Sequence, residues 1–169
     1  ANVSVAARHA IAAHGLERVA IIDFDVHHGN GTEDCVSGDD RILMCSIFQH
    51  PFYPYSGTDK PAANMCNVPL AAGAGGEEFR DAVSQVWIPR LNEFKPQLIV
   101  ISAGFDGHYE DDMGGLKLLE RDYAWCTVEL MKVAAKHANK RIVSMLEGGY
   151  VMTSLARSVG AHLRALAEL

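Results

Sequence analysis

The chain has 169 residues, 49% of them apolar, which is enough for one hydrophobic core and predicts a single domain over 1–169. Its formal charge of −6 comes without any basic run, so we expect no nucleic-acid partner. No apolar segment approaches the length of a membrane span, and we expect no membrane partner either.

Apolar strands and amphipathic helices alternate along the chain. The predicted helices cover 3–14, 77–94, 120–138 and 153–169, with a short helix near Thr32, and the predicted strands cover 19–25, 41–48, 97–103 and 141–146. Gly15 is placed to end the first helix, and Pro89 is expected to kink or split the helix at 77–94. This alternation predicts an α/β fold with an open, mostly parallel sheet and helices on both faces.

Residues 49–68 are rich in proline and aromatic residues and are predicted to form a surface loop. Phe52, Tyr53 and Tyr55 either line a pocket or pack on the loop itself, and the sequence favours neither interpretation.

The four cysteines are scattered, without a Cys-x-x-Cys pair. Cys45 and Cys126 fall inside apolar patterns and are predicted to be buried thiols. A disulfide framework is therefore not indicated, and we expect a reducing, cytoplasmic location.

Unusual polar motifs follow three of the predicted strands. They read DFDVHHGNG from residue 23, SAGFDGH from residue 102 and EGGY from residue 147. Because functional groups gather beyond the carboxyl ends of parallel strands, we expect all three motifs to meet on one rim of the sheet.

Asp25, His27 and Asp106 are the candidate metal ligands. In an extended backbone, Asp23, Asp25 and His27 point to the same side, just where a buried strand ends. Two carboxylates and an imidazole suit zinc, and three protein ligands leave a position open for water. The alternative for Asp106 is a helix cap. We call Asp25, His27 and Asp106 the triad.

Tyr150 follows two glycines that let the backbone approach the rim closely. Its phenol could donate a hydrogen bond to a developing oxyanion, or it could simply pack on its neighbours. Gly148 and Gly149 are expected to lie just behind the ligands. His28 either supports a ligand from behind or is hydrogen-bonded within its own turn.

Asp23 would make a zinc site too acidic if it were a further ligand. It is predicted instead to orient a neighbour or to contribute to a separate, oxygen-rich site for a monovalent cation. Ser46, at the end of the second predicted strand, could assist there.

The motifs DFDVHHGNGT, SAGFDGH and LEGGY together resemble the histone deacetylase family, which has the arginase–deacetylase fold. Within that family, the motifs resemble those of bacterial class II members and the related acetylpolyamine amidohydrolases. The resemblance implies that the triad binds zinc and that Tyr150 polarises the acyl carbonyl. It also implies a structural potassium ion at Asp23, Ser46 and backbone carbonyls that include that of Ile47.

The activity that this resemblance implies is hydrolysis of an acetylated amine, either acetyl-lysine or an acetylpolyamine. Family members carry an upstream pair of adjacent histidines as general base and acid, and no matching pair is present here. We therefore expect the carboxyl-terminal part of a deacetylase catalytic domain, with the amino-terminal portion missing and little or no turnover. We also expect an exposed sheet edge that invites self-association or a partner chain.

The sequence is also compatible with two alternatives. One is a catalytically silent metal-binding fragment that lacks the upstream histidine pair. The other is an arginase-like hydrolase with two metal ions, which requires Asp-x-His-x-Asp. Here the order is Asp23-x-Asp25-x-His27, followed by Gly29, so a single metal ion is favoured.

Overall fold

A computed structural model describes residues 1–168 of the chain. Its centre is a five-stranded parallel sheet with the strand order β3-β2-β1-β4-β5. The strands are β1 (Val19–Asp23), β2 (Ile42–Gln49), β3 (Met65–Leu70), β4 (Leu98–Ala103) and β5 (Ile142–Leu146). The helices are α1 (Asn2–His14), α2 (Asn30–Val36), α3 (Gly76–Ala82), α4 (Ile88–Phe94), α5 (Glu120–His137) and α6 (Met152–Leu166).

Helices cover both faces of the sheet, as the alternation predicted. Side chains alternate along β1, so Ala20 and Ile22 enter one apolar cluster whereas Val19 and Ile21 enter another. The first cluster packs against α3, α4, α5 and α6, and the second packs against α1 and α2. The predicted open α/β sheet is therefore confirmed. Among the described residues, no helix is both long and apolar enough to cross a membrane.

The prediction of an unbroken loop over 49–68 was wrong at its end, because β3 begins at Met65. Two sequence features concealed this strand, the polar Asn67 and the helix- and ladder-breaking Pro69. Among residues 1–168, β3 pairs only with β2, and a proline is tolerated on an edge strand because one side of its backbone has no ladder bond to make.

The predicted helix over 77–94 is split, as Pro89 indicated. A π-helical turn, Val83–Trp87, separates α3 from α4, and Pro89 lies in the first turn of α4. Proline has no amide hydrogen to donate to the carbonyl one turn earlier. The π-helical turn therefore lies where the α-helical hydrogen-bond pattern would be interrupted. The Trp87 side chain is fully buried by this turn.

β5 forms the edge of the sheet opposite β3. Val143 and Leu146 on this strand are exposed although both are large and apolar. An accessible edge was expected from the sequence; self-association through it stays a prediction.

A buried imidazole joins β5, α5 and α6 beneath the rim of the sheet. His162 Nδ1 lies 2.7 Å from Thr127 Oγ1, and its Nε2 lies 2.9 Å from Ser144 Oγ. Because the Thr127 hydroxyl donates to the carbonyl of Tyr123, the imidazole must donate from Nδ1 and accept at Nε2. The neutral ring therefore satisfies every polar neighbour.

His162 should make the fold sensitive to acid. Burial lowers the pKa of His162 from 6.5 to about 4. The unfolded chain therefore binds this proton more readily, and stability is lost as the pH falls from about 6.5 towards 4, by at most about 3 kcal/mol. Urea unfolding at several pH values should show a smaller acid loss for His162→Gln than for the unmodified chain. Equal losses would contradict the assignment, and the exposed His14→Gln is the control.

Candidate metal centre

The structure brings the triad together at the carboxyl rim of the sheet. Asp25 and His27 follow β1, and Asp106 follows the adjacent strand β4. One ligand atom from each residue lies within 4.8 Å of the others. His27 Nδ1 is 3.0 Å from Asp25 Oδ1 and 3.2 Å from Asp106 Oδ2. Such a group of two carboxylates and an imidazole can hold a divalent cation.

Side-chain turns, rather than the strand pleat, place Asp25 and His27 together. β1 ends at Asp23, two residues earlier than predicted. The amide of Asp25 then donates to Asp23 Oδ1 at 3.1 Å, and the amide of His27 donates to Asp25 Oδ1 at 2.9 Å. Each aspartate thereby fixes the backbone two residues further on, and these two turns place Asp25 and His27 at the rim of the sheet.

Asp106 is fully buried and holds its orientation through one oxygen. Its Oδ1 accepts the amide of Val26 at 2.9 Å, whereas Oδ2 receives no aligned hydrogen bond, since the His27 hydrogen is directed at Asp25. The alternative of a helix cap is not supported, because α5 begins only at Glu120. A buried carboxylate oxygen without a donor is costly unless a cation approaches it.

Two glycines make room for the triad. A β-carbon at Gly148 would overlap the carboxylates of Asp106 and Asp25, and one at Gly104 would overlap Asp25. The amide of Gly148 also donates to Asp25 Oδ2 at 2.9 Å. Gly148 thus touches the site itself, while Gly149 supplies a positive φ of 142° for the turn.

The electrostatics of the triad favour positive charge at its centre. The adjacent carboxylates of Asp106 and Asp25 raise the pKa of His27 from 6.5 to about 10, against the opposing effect of burial. Burial in turn raises the pKa of Asp106. In the metal-free triad, a proton on His27 supplies the positive charge between the two carboxylates. A metal cation bound by the same three side chains would supply that charge instead.

Tyr150 lies beside the triad with its ring only partly covered. Its side chain is 53% exposed, and burial together with the charges of Asp106 and Asp25 raises the pKa of its phenol. The backbone amide of Tyr150 donates to Asp111 Oδ2 at 2.7 Å. The phenol therefore remains protonated at neutral pH and is available as a hydrogen-bond donor.

The aromatic loop also reaches the site. The ring of Phe52 stacks on His27 with centroids 5.4 Å apart. His28 faces away from the triad and holds this loop in place, with Nδ1 2.7 Å from Ser56 Oγ and Nε2 2.8 Å from Glu33 Oε2. The sequence predicted either that His28 supports a ligand or that it bonds within its own turn. The hydrogen bonds of His28 match neither role. Its partners lie in α2 and in the loop.

A polar row runs across the sheet below the triad. Asp23 lies in register with Ser46 on β2 and with Ser102 on β4. Ser46 Oγ is buried without a partner, whereas Ser102 Oγ donates to Glu147 Oε1 at 3.0 Å. Burial, with the nearby Asp25, raises the pKa of Asp23 well above its ordinary value. Asp23 and Ser46 are thus adjacent buried oxygen groups, and among the described residues Ser46 Oγ has no hydrogen-bond partner while Asp23 Oδ1 accepts the amide of Asp25.

Three residues of the site were not found from the sequence. Phe52 was left between two interpretations, and Ser102 and Asp111 were not considered. Ser102 could have been found, because it lies on the same strand face as Asp23 when β4 is aligned with β1. Asp111 could not, because it is hydrogen-bonded to backbone amides that lie 39 and 40 residues away in the chain.

Solved structures share this fold over nearly the whole chain. The HDA15 HD domain matches with a TM-score of 0.90 at 32% identity, over 99% of this chain and 49% of that one. The histone deacetylase Clr3 matches with a TM-score of 0.92 at 32% identity, over 100% of this chain and 30% of that one. The fold is therefore the arginase–deacetylase fold, as the motifs implied.

Sequence comparisons give the family. The histone deacetylase domain family matches residues 1–166. Type-2 histone deacetylase 2 of Dictyostelium discoideum is 43% identical, over 99% of this chain and 11% of that protein. The histone deacetylase-like amidohydrolase of Pseudomonas aeruginosa is 38% identical, over 89% of this chain and 41% of that protein. The chain belongs to the histone deacetylase family, and it spans about half or less of the length of these relatives.

The His27 pKa can be measured directly on metal-free protein. Nitrogen-15 NMR of the imidazole should show a ring that stays doubly protonated through neutral pH and titrates near pH 10. Asp106→Asn removes the larger of the two stabilising charges, so the midpoint should fall towards 6.5. Asp112→Asn, at an exposed neighbouring acid, is the control. A midpoint near 6.5 in the unmodified chain would show that the triad does not hold this proton.

Proposed function

We propose that this site serves a zinc-dependent amidohydrolase that removes acetyl groups from acetyl-lysine. The observation that carries the proposal is the triad, with its buried Asp106 Oδ2 left without a hydrogen-bond donor. Relatives named as histone deacetylases and as a histone deacetylase-like amidohydrolase support the same reaction class.

The residues present fit a zinc ion. Asp25, His27 and Asp106 would hold it through two carboxylates and Nδ1 of one imidazole, leaving a position open. When bound, the ion would supply Lewis acidity that activates water and polarises a carbonyl. The chain itself orients the ligands, since Val26 and Gly148 each donate a backbone hydrogen bond to the carboxylates of the triad.

Tyr150 would stabilise the charge that develops on the acyl oxygen. An ordinary phenol is already protonated at neutral pH, and the raised pKa of Tyr150 moves it further from ionisation, so it can act as a hydrogen-bond donor. Its partial exposure leaves it free to meet a substrate carbonyl above the triad. Removing one such donor typically lowers the rate by about 100- to 1,000-fold.

Phe52 would form an apolar wall for the substrate. Its ring stacks on His27 beside the triad, so an acetyl group that reaches the carboxylates also contacts an aromatic face. The aliphatic stem of acetyl-lysine suits such a wall. An acetylpolyamine offers a similar stem, and comparison of the two substrates belongs to the test of this proposal.

We further propose that Asp23 and Ser46 bind a structural potassium ion. Both side chains are buried, they lie in register on adjacent strands, and Ser46 Oγ has no other partner. Backbone carbonyls of Ile47 and of the segment after β1 would complete an oxygen-rich site. A monovalent ion there would offset the buried charge of Asp23 without competing for the imidazole of the triad.

Zinc content should follow the triad. The purified chain, equilibrated with zinc and then freed of unbound ion, should retain one zinc per molecule by elemental analysis. Asp106→Ala should abolish tight binding, because it removes the most buried ligand. Asp112→Ala and Tyr150→Phe should retain the ion. A folded chain that binds no zinc would overturn the proposal, and two zinc ions per chain would favour the arginase-like alternative.

The same preparations test the reaction. Release of acetate from an acetyl-lysine peptide and from an acetylpolyamine should be measured on this chain, and on the longer protein wherever its gene encodes one. Whatever turnover the zinc-loaded protein shows should fall about 100- to 1,000-fold in Tyr150→Phe. Zinc binding without turnover in either protein would establish the silent metal-binding alternative.

The potassium proposal predicts a specific dependence on the cation. Replacing sodium by potassium chloride at constant ionic strength should raise the free energy of unfolding by about 1–3 kcal/mol at ten- to hundredfold excess over the dissociation constant. Ser46→Ala should remove most of this difference. Ser102→Ala, on the other side of Asp23, is the matched control and should retain it. Equal stability in the two salts would refute the site.

A further inference from the structure

Asp111 is a buried carboxylate with an unusual set of partners. It lies in the segment between β4 and α5, where its side chain and backbone are only 4% exposed. Its Oδ1 accepts the amide of Met113 at 3.0 Å. Its Oδ2 accepts the amides of Tyr150 at 2.7 Å and Val151 at 3.2 Å. Three backbone donors can balance the cost of burying this charge.

The position of Asp111 also matches the charge of α6. Val151 is the residue that precedes this 15-residue helix, and no side chain of the helix or of its first turn caps it. The helix therefore begins with free amides and a positive end. Asp111 accepts the amide of Val151 from a different part of the chain and places a negative charge near this positive end, which fixes the start of α6 to the segment that also carries Asp106.

Other contacts hold the chain before Tyr150 but not Tyr150 itself. The amide of Glu147 donates to Ala103, and the carbonyl of Gly148 accepts from Phe105. Gly149 then adopts a positive φ, a conformation with no side chain to restrain it. Tyr150 is half exposed, so packing alone does not set the direction of its ring. The hydrogen bond to Asp111 is the backbone restraint at that residue.

We propose that Asp111 is a positioning residue, which aims the phenol of Tyr150 at the open side of the triad by fixing the backbone amides of Tyr150 and Val151. The proposal rests on the proposed function for its catalytic consequence, because an aimed phenol matters only if it donates to a bound acyl oxygen. The alignment itself is independent of that reaction. Asp111 does not touch the substrate and acts through Tyr150.

The alignment can be read without any activity. Fluorine NMR of the chain labelled with 3-fluorotyrosine gives one signal per tyrosine, and Tyr150→Phe identifies the signal of Tyr150. Asp111→Asn should shift and broaden that signal. The asparagine side chain has a single acceptor oxygen, which cannot replace both Oδ1, the acceptor for Met113, and Oδ2, the acceptor for Tyr150 and Val151. The signals of Tyr53 and Tyr55 should remain in place. Asp112→Asn, at the adjacent exposed acid, should move none of them.

The consequence for the site can be read by binding of acetohydroxamic acid to the zinc-loaded chain. Asp111→Asn and Tyr150→Phe should each weaken binding about threefold to tenfold, the range expected for one hydrogen bond. In the double variant the weakening should match that of Tyr150→Phe alone, since Asp111 acts through the phenol. The affinity for zinc should change less than twofold in Asp111→Asn.

The outcomes separate the two proposals. An unmoved Tyr150 signal in Asp111→Asn overturns the positioning role. Equal weakening by Asp111→Asn with and without the Tyr150 phenol also overturns it, because the effect would then bypass Tyr150. A shifted signal together with unchanged acetohydroxamate binding in Tyr150→Phe upholds the alignment and counts instead against the proposed function of the phenol.

Discussion

The site depends on one electrostatic constraint, the crowding of two carboxylates around a single imidazole nitrogen. Asp25 and Asp106 lie within reach of His27 Nδ1, and their like charges repel one another unless positive charge lies between them. Both pKa values are raised: the two carboxylates favour the charged form of His27, whereas burial and the charge of Asp25 favour the neutral form of Asp106. Backbone amides that donate hydrogen bonds to Asp25 and Asp106 reduce the repulsion between these two carboxylates.

Those amides come from the ends of different strands, which explains why a parallel sheet suits this site. Val26 follows β1 and donates to the ligand beyond β4, whereas Gly148 follows β5 and donates to the ligand beyond β1. Each of these two carboxylates is thus oriented in part by a backbone amide that follows a different strand. Rigid strand ends fix these distances, and the glycines at 104 and 148 allow the backbones to approach one another.

The sequence was sufficient for the features that depend on local pattern. Buried strands, the break at Pro89 and the meeting of the triad on one rim all follow from apolar periodicity and from parallel order. β3 was missed because Pro69 contradicts a strand unless its edge position is known. The hydrogen bonds between Asp111 and the start of α6, and the stacking of Phe52 on His27, could not be predicted, since both depend on segments that are distant in the chain.

One hydrogen bond links the two proposed cation sites. Asp23 Oδ1 accepts the amide of Asp25, and Asp25 is itself a member of the triad. A cation beside Asp23 and Ser46 would draw on the carboxylate that orients this amide. Occupancy of the Asp23–Ser46 site would therefore alter the geometry of the triad. By linkage, the factor by which potassium changes the affinity for zinc equals the factor by which zinc changes the affinity for potassium. Because β1 ends at Asp23, two carboxylates only two residues apart can serve separate sites on either side of that turn.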